Sequence, residues 1–100
     1  MTEAEVLKQV GSLKSEILGD SYKLYLYDSR SKGTNDPESD FDFLIWGKES
    51  VPEAQWQEFR LKVANLKTLY KIDLVDYHSR SRDFRSVIAP QLKEIVNGQD

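Results

Sequence analysis

Apolar residues recur along the chain at two spacings, and the switches between them mark the elements. Val6, Val10, Leu13 and Ile17, with Leu7 and Leu18 beside them, follow helical spacing, so residues 3–18 read as an amphipathic helix. Thr2 and Glu5 have capping-box spacing at its start, and Gly19-Asp20 ends it. Lys23 to Tyr27 (Lys-Leu-Tyr-Leu-Tyr) reads as a short strand. Residues 28–39 form a polar loop, and Phe41 to Trp46 is a second, largely apolar strand.

After a turn at Gly47 to Ser50, helical spacing returns at Trp56, Phe59, Val63 and Leu66. Ser50 and Glu53 repeat the capping-box spacing, with Pro52 where a first helical turn tolerates it. Tyr70 to Tyr77 reads as a third strand. A last helix starts near Ser81, turns Phe84, Val87, Ile88, Leu92 and Ile95 inward, kinks or restarts at Pro90 and closes at Asn97-Gly98. The order helix, strand, strand, helix, strand, helix predicts an α/β (α+β) domain with a small mixed sheet flanked by helices.

The 100 residues suit one domain, 1–100, with a modest core. No apolar run approaches the ~20 residues needed to span a bilayer, and the polar, acidic N-terminus is not a secretory signal. The absence of cysteine excludes disulfides and thiolate metal sites and fits a reducing, cytoplasmic setting. A net charge of -3 argues against a general nucleic-acid binder. Cations collect in the second half, at Arg60, Lys62, Lys67, Lys71, Arg80, Arg82 and Arg85. They read either as solvated surface or as a patch facing an acidic partner or a nucleotide.

Candidate chemistry centres on Asp40 and Asp42. At i and i+2 on a strand, both carboxylates leave one face, with Cα atoms ~6–7 Å apart. Asp73, among Ile72, Leu74 and Val75, can join that face if its strand is adjacent, whereas Asp76 has the opposite parity. Three carboxylates suit Mg²⁺ or Mn²⁺. A solvated strand face is the plainer reading of the pair. An EF-hand arrangement of Asp36, Asp40 and Asp42 fails on spacing. The loop Asp28-Ser29-Arg30-Ser31-Lys32-Gly33 can cradle phosphate through backbone N–H groups, the Ser29 hydroxyl and the cations Arg30 and Lys32. His78 reads as a solvated loop histidine, Tyr25 and Tyr27 as sheet packing, and Trp46 and Trp56 as core.

Taken together, Tyr27-Asp28-Ser29-Arg30-Ser31-Lys32-Gly33, Ser39-Asp40-Phe41-Asp42-Phe43-Leu44-Ile45 and Ile72-Asp73-Leu74-Val75-Asp76 resemble the polymerase-beta-like nucleotidyltransferases. Those enzymes carry Gly-Ser in a loop, Asp-x-Asp on the next strand and a third Asp on a later one. The tail Ser81-Arg82-Asp83-Phe84-Arg85-Ser86-Val87-Ile88 looks like the minimal nucleotidyltransferase branch.

The resemblance implies Asp40, Asp42 and Asp73 as catalytic metal ligands for Mg²⁺ (or Mn²⁺). It implies Ser29, Arg30, Lys32 and Gly33 in nucleotide binding, with AMP moved from ATP to an acceptor. It also implies a small helical partner of the HEPN type, as in toxin–antitoxin pairs. One position departs from the pattern: Asp28 stands where the family carries Gly. A carboxylate ~5 Å from a phosphate charge, at an effective dielectric of ~20, costs roughly 3 kcal/mol. That leaves a second reading, a degenerate transferase domain that binds or neutralises a helical partner without chemistry.

Overall fold

The computed structural model describes residues 2–27, 41–68 and 70–95. The elements are α1 (Glu3–Ile17), β1 (Lys23–Tyr27), β2 (Phe41–Trp46), α2 (Glu53–Ala64), β3 (Ile72–Asp76), α3 (Arg82–Ile88) and β4 (Lys93–Ile95). Short 3₁₀ turns at Tyr77–Ser79 and Ala89–Gln91 flank α3.

α1 begins at a reciprocal cap. Glu5 N–H donates to Thr2 Oγ1 at 3.2 Å, and Thr2 N–H donates to Glu5 Oε1 at 2.9 Å. The bonds from Thr2 hold the Glu5 carboxyl below the usual carboxylate range. The helix ends where Gly19 enters the left-handed region at φ 76°, which glycine adopts without a Cβ penalty. Lys14, only 8% exposed, donates from Nζ to Gly19 O at 3.1 Å and Tyr22 O at 2.7 Å, tying the helix end to the approach to β1. Burial pushes its ammonium below the ordinary lysine range, partly offset by the charges of Asp20 and Glu94.

The sheet order is β3-β2-β1-β4. β1 runs antiparallel to both β2 and β4, and β2 runs parallel to β3. The sheet is therefore mixed, as the element order predicted. One face carries Leu24, Leu26, Phe41, Phe43 and Ile45 against Val6 and Val10 of α1 and Phe59 and Val63 of α2. The opposite face carries Leu44 and Val75 against Ile88, with Tyr25, Tyr27, Trp46, Phe84 and Leu92 half-buried around them.

Three expectations change. The last helix does not run on past Pro90. It stops at Ile88, and the chain turns at Ala89–Gln91 into β4. Leu92 and Ile95 are thus separated: Leu92 packs on the α3 side, while Ile95, opposite Leu24, joins the α1/α2 core. Val87 is 65% exposed rather than inward. Lastly, Ser50 does not cap α2, whose N-cap is Pro52 with no side-chain hydrogen bond. The neighbouring Val51 N–H donates instead to Asp76 Oδ2 at 3.1 Å. Among the described residues, no helix is long and apolar enough to cross a membrane.

Candidate active site

β2 and β3 start level with each other. Phe41 N–H donates to Lys71 O at 2.8 Å, and the parallel register that follows sets Asp42 opposite Asp73. Each Asp is the second residue of its strand, and neighbouring strands lie ~4.8 Å apart. Alternation along the strands sends both toward the α3 side, together with Leu44 and Val75. On the other side of β2 the same row continues to Tyr27 of β1, the register partner of Asp42. Asp42 is half-buried and Asp73 exposed. Two carboxylates side by side repel unless a cation lies with them.

Asp40 directly precedes β2 but, like Asp28, Ser29, Arg30, Lys32 and Gly33, lies outside the described residues. Among the described residues no three His, Cys, Asp or Glu side chains form a metal-holding group. The carboxylates that are described do suit a hard divalent cation: they are oxygen donors, in register on adjacent strands and on one face, with Asp73 exposed and Asp42 half-buried.

Asp76 has the parity that turns it away, and its surroundings explain what it does there. It is 9% exposed. Its Oδ2 accepts from Val51 N–H and its Oδ1 from His78 N–H, each at 3.1 Å. Ser79 Oγ donates to its carbonyl at 2.7 Å. This carboxylate binds backbone and holds the far end of β3.

His78 corrects its reading as a solvated loop residue. It is half-buried, with Nε2 2.6 Å from Gly47 O and its ring edge-on to Tyr77. The carbonyl can only accept, so Nε2 carries the proton. Gly47 is buried, and a Cβ there would lie 2.5 Å from the Tyr22 ring, so the close approach of Tyr22 requires glycine at this position. The partner is 31 residues away in sequence, beyond what local spacing reveals.

Arg85 is likewise no plain surface cation. It donates to Tyr77 O at 3.1 Å and His78 O at 3.2 Å, with its guanidinium 4.7 Å from the Tyr77 ring centroid. Tyr27 meets Phe84 edge-on at 6.2 Å, and the Arg80 guanidinium lies 5.4 Å from the Phe84 centroid. A cavity of about 300 Å³ opens between α2 and β3, its lining including Arg60, Val63, Leu66, Tyr70, Asp73 and Leu74. Its apolar lining belongs to the α2 side, so it is not the floor of the carboxylate row.

The fold is similar to that of solved toxin–antitoxin structures. One, determined with AMP-PNP, aligns with a TM-score of 0.68 at 22% identity over 94% of this chain and 73% of that chain. Another is a mutant of the MntA–HpeT toxin–antitoxin in which two aspartates, two positions apart, are replaced by glutamate. It aligns with a TM-score of 0.67 at 19% identity, over 89% of this chain and 70% of that one. A third is a tri-AMPylated HEPN toxin of Shewanella oneidensis in complex with an MNT antitoxin. It also gives a TM-score of 0.67 at 19% identity, over 94% and 71% of the two chains. No curated protein matches the sequence significantly. The family model described as Polymerase beta, Nucleotidyltransferase matches residues 8–100, nearly the whole sequence, and on that match the chain belongs to the polymerase beta nucleotidyltransferase family.

Proposed function

We propose that the protein is a metal-dependent nucleotidyltransferase that moves AMP from ATP onto a side-chain hydroxyl of a partner protein. The observation that carries this reading is the register pairing of Asp42 with Asp73 on one open face. The family membership supports the reaction class. The AMP-PNP complex and the tri-AMPylated HEPN toxin among the fold neighbours support the nucleotide and a small helical HEPN-type partner of the minimal nucleotidyltransferase (MNT) system.

In this reading Asp40 and Asp42 hold Mg²⁺ or Mn²⁺, and Asp73 is the third ligand. The loop residues Ser29, Arg30, Lys32 and Gly33 contact the phosphates. A bound divalent cation supplies charge neutralisation at the phosphate oxygens. The acceptor oxygen bonds to the α-phosphorus in line with the bridging oxygen, the bond to that oxygen breaks, and pyrophosphate leaves. An Oδ of Asp73, at the exposed edge strand, takes the hydroxyl proton. The test is label transfer from [α-³²P]ATP with Mg²⁺, with and without the product of the neighbouring gene. Label on protein with wild type and none with Asp42→Asn is expected; no label in any combination sinks the catalytic reading.

Asp28 favours a second reading, a binding module for the same partner without chemistry. Replacing Asp28 by Gly removes the charge and frees the backbone. A weakened enzyme then gains ATP affinity by about tenfold or more, since the estimated repulsion exceeds the ~1.4 kcal/mol that tenfold requires. Asp28→Asn tells charge from backbone geometry. A pure binding module stays inactive in both variants while still co-eluting with the partner.

A further inference from the structure

A nucleoside triphosphate brought to this face meets Asp42 and Asp73, so affinity depends on cations that face the row. The α3 side offers Arg80, Arg82 and Arg85 near its start. Arg85 is committed to the carbonyls of Tyr77 and His78 and to the Tyr77 ring. Arg80 is different. It is exposed, its guanidinium rests against the Phe84 ring, and among the described residues it has no carboxylate partner. Phe84 in turn abuts Tyr27, which occupies the same cross-strand row as Asp42 and Asp73. An aromatic bridge thus links Arg80 to the carboxylate row.

We infer that Arg80, carried on the Phe84–Tyr27 pair, positions the phosphate end of the nucleotide beside Asp42 and Asp73. The inference rests on the nucleotide reading above and adds a residue to it. A ring face restricts where the guanidinium sits while leaving its five N–H donors available to oxygens. A planar fork suits phosphate oxygens better than an ammonium does. Adenosine and ribose need no such cation, so the effect of Arg80 must scale with the number of phosphates.

The test uses the full chain with Mg²⁺ and measures Kd for ATP, ADP and AMP by calorimetry, with a melting scan of each variant. Arg80→Ala is expected to weaken ATP by about tenfold or more, as for loss of a charge-assisted contact, ADP by less and AMP by under about twofold, with an unchanged melting temperature. Arg80→Lys should recover only part of the loss. Equal weakening of all three nucleotides, or a lowered melting temperature with no dependence on phosphate number, makes Arg80 a packing residue and overturns the inference. So does unchanged ATP affinity in Arg80→Ala. Wild type that binds no ATP with Mg²⁺ overturns the nucleotide reading itself, and the inference with it; this outcome is read from wild type alone.

Discussion

The two faces of the sheet are built to different standards of closure. Toward α1 and α2, large side chains such as Phe41, Phe43, Phe59 and Leu24 are wholly buried, and Ile95 arrives from the far end of the chain to complete the layer. Toward α3, Leu44, Val75 and Ile88 are the buried hydrophobics among the described residues, and around them stand half-buried aromatics, cations and two carboxylates. α3 has seven residues, too few to cover a four-stranded sheet. The closed face holds the fold, and among the described residues the short helix leaves part of the other face uncovered, where the proposed nucleotide would bind. The three described aspartates of β2 and β3 divide the same way: Asp42 and Asp73 point to the open face, whereas Asp76 is consumed by backbone donors.

The largest test of this contrast is truncation on each face. Phe59→Ala should cost about 3–5 kcal/mol of unfolding free energy, as for a fully buried aromatic. Phe84→Ala, on the open face, should cost clearly less. Equal losses in urea titrations would erase the distinction. Next in size is metal linkage. At free Mg²⁺ or Mn²⁺ a hundred times Kd, stability should rise by about 2.7 kcal/mol. A melting scan against chelator should show that gain in wild type and lose it in Asp42→Asn; a gain of equal size in the variant would mean the carboxylates are only solvated.

The aspartates themselves sharpen the comparison further. Asp76→Asn turns an amide toward a backbone N–H that needs an acceptor, and should cost about 1–3 kcal/mol. Asp73→Asn, at an exposed position, should stay within about 0.5 kcal/mol of wild type in the absence of metal. Chemical denaturation of both variants decides it. The smallest effect belongs to the closed face. Because burial depresses the Lys14 pKa, the unfolded chain binds the extra proton in the window just below the ordinary value of 10.5. The cost of burying the charge is therefore fully present at neutral pH and is relieved as pH rises through the folded value. Wild type should gain stability, relative to Lys14→Met, as pH climbs toward 10.5; an opposite slope would contradict the burial argument.

How much of this was legible in the sequence follows from how local each decision is. β1 alternates between buried and half-buried positions, β2 is apolar on both faces except at Asp42, and their bounds could be read from composition. The parity argument that separated Asp73 from Asp76 needed only the pleat, and the register of β2 with β3 agrees with it. β4 was hidden because Ile88, Leu92 and Ile95 also fit helical spacing. Lys-Glu-Ile carries no strand signature, and only the open edge of β1 makes it one. Ser50 and His78 were misread for a related reason: Asp76 and Gly47, which decide their surroundings, lie far off in sequence. The loop residues Ser29, Arg30, Lys32 and Gly33, with Asp40, fall outside the described residues, so their roles rest on the motif.

The late arrival of β4 also bears on synthesis. The strand that covers the outer edge of β1 is residues 93–95, so the N-terminal elements can emerge from a ribosome well before their last neighbour exists. During that interval a nascent chain presents β1 with one edge paired to β2 and the other uncovered, the kind of edge that invites pairing with another polypeptide. How long that edge stays uncovered depends on how soon residues 93–95 follow β1 into the open.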